Sequence, residues 1–195
     1  MKILTTFSRF EALTRSGRRI DLAEPDVSLI RARDLAEHLA KLPMYRGATW
    51  GFYSIAQHSC IVAGEMAREE GPAAGLYGLL HHAHEALSDN AIQVRVSIVH
   101  VIHEAFGLKW PMPPSTESAL AFAHACAELT ELRQLCVSCE DEAVALEDAG
   151  AAMLRARIRP VAWDRAQELF VEALRVYARA SSASHPARPV FEDIL

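Results

Sequence analysis

Apolar side chains recur at helical spacing along most of this chain, and prolines and glycines punctuate the runs. Ile30, Leu35, Ala36 and Leu39 fall on one face of a segment that Asp26 or Ser28 would cap and Pro43 would stop. Tyr45 to Gly51 reads as a loop from its glycines. A helix over 54–70 ends at Gly71-Pro72. The segment from Ala73 to Leu87 is apolar nearly all round, which predicts a central helix packed on every side, and it carries His81 and His82. Helices follow over 92–106, ended by Gly107 and a proline-rich loop at 110–114, and from Ser115 to about Leu135. Two more are predicted over 140–157 and 160–180, the last with Pro160 in its first turn. Its stripe of Trp163, Ala166, Phe170, Ala173, Leu174 and Tyr177 suits core or dimer packing. The first 25 residues read as an extended or hairpin-like lead-in, and residues 181–195 as an irregular tail. The expectation is an all-α domain over 1–180: a single compact helical bundle with at most a short N-terminal hairpin.

Composition narrows the class without naming a function. A length of 195 residues with 51% hydrophobic and 23% charged positions suits one globular domain with a sizeable core. The net charge of −5 argues against a nucleic-acid-coating surface, yet leaves room for a local basic pocket that takes a phosphate. No apolar run reaches the length of a membrane span. Charges scattered through the first twenty residues interrupt any signal-peptide core, so a cytoplasmic protein is expected. Cys136-Val-Ser-Cys139 is a lone CxxC in a helix-like stretch, and it reads as packing before it reads as a zinc site.

The candidate chemistry lies in the histidines. His58, the His81–His82 pair and His124 are far apart in sequence, and neutral imidazole is the commonest metal ligand among side chains. On a continuous helix His81, His84 and Glu85 share a face, with His82 about a quarter turn away. An ion reached by both members of the pair must then sit beside the helix, between their directions.

Two stretches, Tyr53-Ser-Ile-Ala-Gln-His58-Ser59 and Leu79-Leu-His81-His82-Ala-His-Glu85-Ala86, resemble the HD-domain metal-dependent phosphohydrolases. The nearer likeness is to the branch that includes the bacterial 5′-deoxynucleotidases. Flanking segments agree: residues 16–21 and Pro25-Asp26, Arg46-Gly-Ala-Thr49, Phe106-Gly-Leu108 and Thr130-Glu131-Leu-Arg133 fall where that branch has like residues. The likeness spans roughly residues 16–135. It implies metal ligands at His58, His81, His82 and His124, but the family has aspartate at the last two positions. Both acidic ligands are exchanged for another ligand type, which favours a metal site of altered form over a dead one.

The exchange has physical consequences. An all-imidazole set leaves the ion's charge uncompensated and shifts preference from Mg²⁺ and Mn²⁺ toward Zn²⁺, Ni²⁺, Co²⁺ or Fe²⁺, with Zn²⁺ favoured. Imidazole cannot bridge two ions as a carboxylate does, so one ion per chain is expected. By resemblance, Glu85 takes an acid/base role; the other reading is that it accepts from the N–H of a ligating imidazole. Asp89 matches a further family aspartate at a spacing one residue shorter. Arg46 or Arg95 would hold a phosphate through the guanidinium fork. His84, His100 and His103 are left over near the motif, and His103 on the following helix is within reach of the cleft. The function implied is hydrolysis of a phosphate ester, foremost a nucleotide 5′-monophosphate, by a homodimer. The alternative is an inactive HD-fold module that binds metal or nucleotide.

Overall fold

The computed structural model describes residues 11–88, 92–137 and 139–182. The outer lead-in (1–10), Asp89 and the tail beyond 182 lie outside the described residues, as does the side chain of Arg95. The all-α expectation with a short N-terminal hairpin holds. Strands β1 (Glu11–Leu13) and β2 (Arg19–Asp21) pair antiparallel, with Ala12 opposite Ile20. Gly17 supplies the positive φ that the connecting turn requires. The turn docks on the first helix through Ser16, whose N–H and Oγ both donate to the buried carboxylate of Asp34.

Seven α-helices follow among the described residues. Helix α1 (Ala32–Lys41) starts later than Asp26 or Ser28 would place it. Asp26 instead accepts from the Ser28 N–H and caps a single 3₁₀ turn, Val27–Leu29. Ile30 and Arg31 then run extended, which sends the Ile30 side chain into the core. Helix α2 (Ile55–Glu70) is capped by Ser54 Oγ, which accepts from the Gln57 N–H, and it ends at Gly71 with φ 91°. Pro72 opens α3 (Pro72–Leu80) at a position where its missing N–H costs nothing. A Cβ at Gly78 would stand 2.9 Å from the Ala63 Cα, so only glycine lets α3 press its backbone onto α2.

The predicted helix through Leu87 is not formed. Helix α3 stops at Leu80, and the chain continues through His81 and His82 into a 3₁₀ turn, Ala83–Ala86. Helices α4 (Ile92–Ala105) and α5 (Pro114–Leu135) follow expectation closely. Helix α6 (Glu140–Asp148) is half its predicted length, because Gly150 takes φ 94° and ends it. Residues 151–162 form a strap along α5 whose backbone N–H groups find side-chain acceptors at every fourth α5 residue. Ala152 donates to Cys126 Sγ, Leu154 to Thr130 Oγ1 and Ile158 to Gln134 Oε1. Pro160 belongs to this strap, so α7 (Trp163–Ser182) begins three residues after it.

The main core joins the hairpin's Ile20 to faces of α1, α2, α3, α4 and α7. Of the apolar stripe of α7, Ala166, Phe170 and Leu174 are buried within the chain itself, joined by Ala178; Ala173 and Tyr177 are partly buried against them, and Trp163 is exposed. Smaller apolar clusters lie between α2 and α5 and between α5 and α6. The start of α2, the end of α3 and the middle of α5 are thereby brought side by side. No helix among the described residues is long and apolar enough to cross a membrane.

Candidate metal centre

Four imidazoles converge where α2, α5 and the end of α3 meet. His58 comes from the first turn of α2, His81 and His82 from the residues just after α3, and His124 from the middle of α5. One nitrogen from each lies within 4.8 Å of the others. Ring centroids are 4.1 Å apart for His81 and His82, and 5.1 to 5.5 Å for the other pairs. The helix break explains how two adjacent histidines reach one point. On a continuous helix their directions differ by about 100°. Here His82 sits at φ −102° and ψ 7°, outside the helical basin, and its ring folds back beside that of His81.

Hydrogen bonds fix the ring tautomers. His58 Nδ1 donates to the Glu131 carboxylate at 2.8 and 3.0 Å, and His81 Nδ1 donates to the Gly78 carbonyl at 2.6 Å. Both partners only accept, so Nε2 of each ring keeps its lone pair. These two Nε2 atoms face one another at 3.2 Å. An ion bonded to each at about 2.0–2.1 Å with tetrahedral angles would set them about 3.3 Å apart. Two lone pairs at that separation repel unless a cation or a shared proton lies between them. Burial, and then the three other rings, hold the His81 pKa well below the usual imidazole value, so its Nε2 is an acceptor or a ligand. Burial followed by His58 and His82 likewise pushes His124 down to about 4. The four imidazoles together could hold a metal ion.

The counter-charge lies one layer out. Glu131, two turns after His124 on α5, is fully buried and accepts from Tyr45 Oη and Tyr53 Oη at 2.6 Å each, besides His58 Nδ1. Burial works to raise its pKa, but His58 and the two phenols overcome that, and the carboxyl stays below its ordinary value. Glu85 Oε1 lies 2.7 Å from His82 Nδ1 but off the ring's N–H direction, so neither nitrogen of His82 makes a directed hydrogen bond. Glu128 Oε2 is 3.8 Å from His124 Nδ1. Three carboxylates thus stand behind three of the rings, a common arrangement outside a metal's own ligands. The ligand set thus holds no carboxylate of its own, and the acidic groups stand in the layer behind it.

The four expected ligands are brought together, and Glu85 sits at their edge with 39% of its side chain exposed. The break after α3 removes the shared helix face of His81, His84 and Glu85. Glu85 reaches the cluster through His82 instead. Arg46 is exposed, on the turn whose Tyr45 reaches Glu131. His103 is not part of the cluster. It is 2% exposed, donates from Nδ1 to the Val99 carbonyl, and packs against Tyr77 and Trp110. The cleft of about 720 Å³ beside it, which His100 lines, shares no lining residue with the four histidines. All four cysteines are free thiols. Cys126 serves the strap, and burial, then Cys139, pushes Cys136 up to about 11, as suits packing rather than ligation. Glu131 is the residue whose role sequence reasoning missed. The available signal was its place seven residues after His124, on the same face of α5.

No family model matches the chain. It is similar to an uncharacterized protein of Rhodobacter capsulatus, with 32% identity over 146 residues that span 66% of this chain and 74% of that protein. That extent of identity shows that the chain belongs to the same family as the Rhodobacter capsulatus protein.

Proposed function

We propose that the chain is an HD-type phosphohydrolase holding one transition ion, Zn²⁺ foremost, at His58, His81, His82 and His124. The observation that carries this reading is the convergence of four imidazole nitrogens, two of them with lone pairs face to face. The ordered motifs resembling that superfamily give the reaction class. Bound there, the ion supplies positive charge and lowers the pKa of a coordinated water toward neutrality. The chain's own residues do the rest. Glu131 holds His58 in the tautomer that presents Nε2 inward. Glu85, partly exposed beside His82, is placed to take or return a proton. Arg46 and Arg95 are the cations assigned to the phosphate, a nucleotide 5′-monophosphate in the first instance. A homodimer belongs to the same proposal, but it would not use Ala166, Phe170 and Leu174 of the α7 stripe, which the core buries.

One observation favours a second reading. Four protein nitrogens are as many ligands as a structural zinc site takes, one more than the usual catalytic set. On that reading the chain is a metal- or nucleotide-binding module without turnover. The two separate on protein purified without nickel affinity. Metal analysis is expected to give one transition ion per chain, and nucleotide monophosphates to be hydrolysed only by the loaded protein. A loaded chain with no turnover on any phosphate monoester leaves the binding module standing, and a chain that takes up no ion sinks the hydrolase and the metal-binding module, leaving only a nucleotide-binding one.

A further inference from the structure

Tyr45 and Arg46 are consecutive non-glycine residues in the left-handed region, at φ 52° and φ 53°. That conformation crowds the Cβ of an L-residue against its own backbone, so one such residue is uncommon and two in a row need external support. The flanks of the turn are anchored. The Met44 N–H donates to the Tyr53 carbonyl, and the Trp50 N–H to the Leu135 carbonyl. Between them, the side-chain hydrogen bond that reaches the interior is Tyr45 Oη to Glu131 Oε2, at 2.6 Å. Glu131 is the same carboxylate that holds His58 Nδ1. One buried anion therefore grips a metal-facing imidazole on one side and the strained turn on the other.

We infer that Glu131 and Tyr45 are positioning residues that tie the metal centre to the Tyr45–Arg46 turn, so that ion binding at His58 fixes where Arg46 stands. This rests on the metal-centre reading above. An ion on His58 Nε2 withdraws electron density from the ring, strengthens the Nδ1–H bond to Glu131 and adds a cation within reach of the buried carboxylate. The Tyr45 phenol then donates to a better-held anion, and charge-assisted bonds of this kind are the strong ones. Tyr53 also donates to Glu131, at Oε1, but it lies outside the turn, which makes it the control. Reciprocity requires that loosening the turn from Glu131 weaken the ion by the factor that the ion tightens the turn.

The test is hydrogen–deuterium exchange across residues 44–50 of the whole chain, without and with saturating Zn²⁺, beside Zn²⁺ titrations. The Ala48 amide, bonded to the Tyr45 carbonyl at 3.0 Å, reports the turn. Zn²⁺ is expected to slow its exchange about fivefold or more, the lower range of such couplings. Tyr45→Phe is expected to abolish that slowing and weaken Zn²⁺ by the same factor. Tyr53→Phe is expected to keep the slowing. Glu131→Gln is expected to weaken Zn²⁺ by about 10–100-fold and to abolish the slowing. A merely structural role for Tyr45 would lower thermal stability without making Ala48 exchange depend on Zn²⁺. A wild-type chain that binds Zn²⁺ without slowing, or a Tyr45→Phe variant that retains it, overturns the coupling and leaves the centre standing. A chain that binds no Zn²⁺ removes the centre and the coupling together.

Discussion

The two sides of the histidine cluster are built to different standards. On the inner side His58 and Glu131 are both 0% exposed, and the Glu131 carboxylate meets an imidazole N–H and two phenols. On the outer side His82 is 21% and His124 29% exposed, and their carboxylate neighbours Glu85 and Glu128 stand misaligned or too far for a hydrogen bond. The inner side is fixed before any ion arrives, because a buried anion with an unpaired contact would be costly. The outer side is the one that solvent reaches. On the hydrolase reading proposed above, a buried support behind one ligand and an open, acidic opposite edge would suit a reactive centre.

The largest effect expected concerns the outer edge. Glu85→Gln is expected to lower ion-dependent turnover by about 10²–10⁴-fold, the range for a lost acid/base group, while metal content stays at wild-type level. Steady-state rates beside metal analysis check this, and an undiminished rate would take the acid/base role from Glu85. Next comes the inner side. In the metal-free chain, His58→Ala removes one of the donors that hold a buried carboxylate, and it is expected to cost about 1–3 kcal/mol in urea unfolding. His124→Ala leaves no buried partner stranded, since its nearest carboxylate is 3.8 Å away, so a loss of about 1 kcal/mol or less is expected. Equal losses at the two positions would erase the asymmetry.

Acidity gives an effect between those two. Burial, then neighbouring rings, lowers the pKa of His81 and brings that of His124 to about 4, from a reference of 6.5. Below pH 6.5 the unfolded metal-free chain therefore takes up protons that the folded chain refuses. Stability is intact above that value and falls as the pH drops toward 4, by about 1.4 kcal/mol per pH unit for each such group. Urea midpoints at stepped pH should show the fall, and His124→Ala should make it shallower. Midpoints that rise on acidification would contradict neutral, inward-facing imidazoles.

Much of the fold was legible along the chain because helices are local. Ser54 and Gly71-Pro72 bound α2 where the spacing puts its ends, and the Ala166, Phe170, Leu174, Ala178 row buries as its period requires. Boundaries failed where a local signal competed with a distant one. The 140–157 segment has helical composition throughout, yet Gly150 ends α6, and side chains on α5 then satisfy the backbone that follows. The run through Leu87 failed for a similar reason, since its apolar positions continue while the backbone bends at His81–His82.

Sequence by itself determined which residues were candidates for the centre: His58, His81, His82 and His124, with Glu85 beside them. Residue type and spacing carry that much, because an imidazole is a ligand wherever the chain puts it. Only the tertiary structure decided how the ion's charge is met. Glu131 contacts residues 73, 78 and 86 positions earlier in the chain, and no local period encodes partners at that distance. It also decided that the histidine pair works from a broken helix end rather than a helix face. The physical reason is the same in both cases. Burying a carboxylate or turning two adjacent rings to one point is tolerable only when other elements supply the missing hydrogen bonds, and those elements meet only in the folded chain.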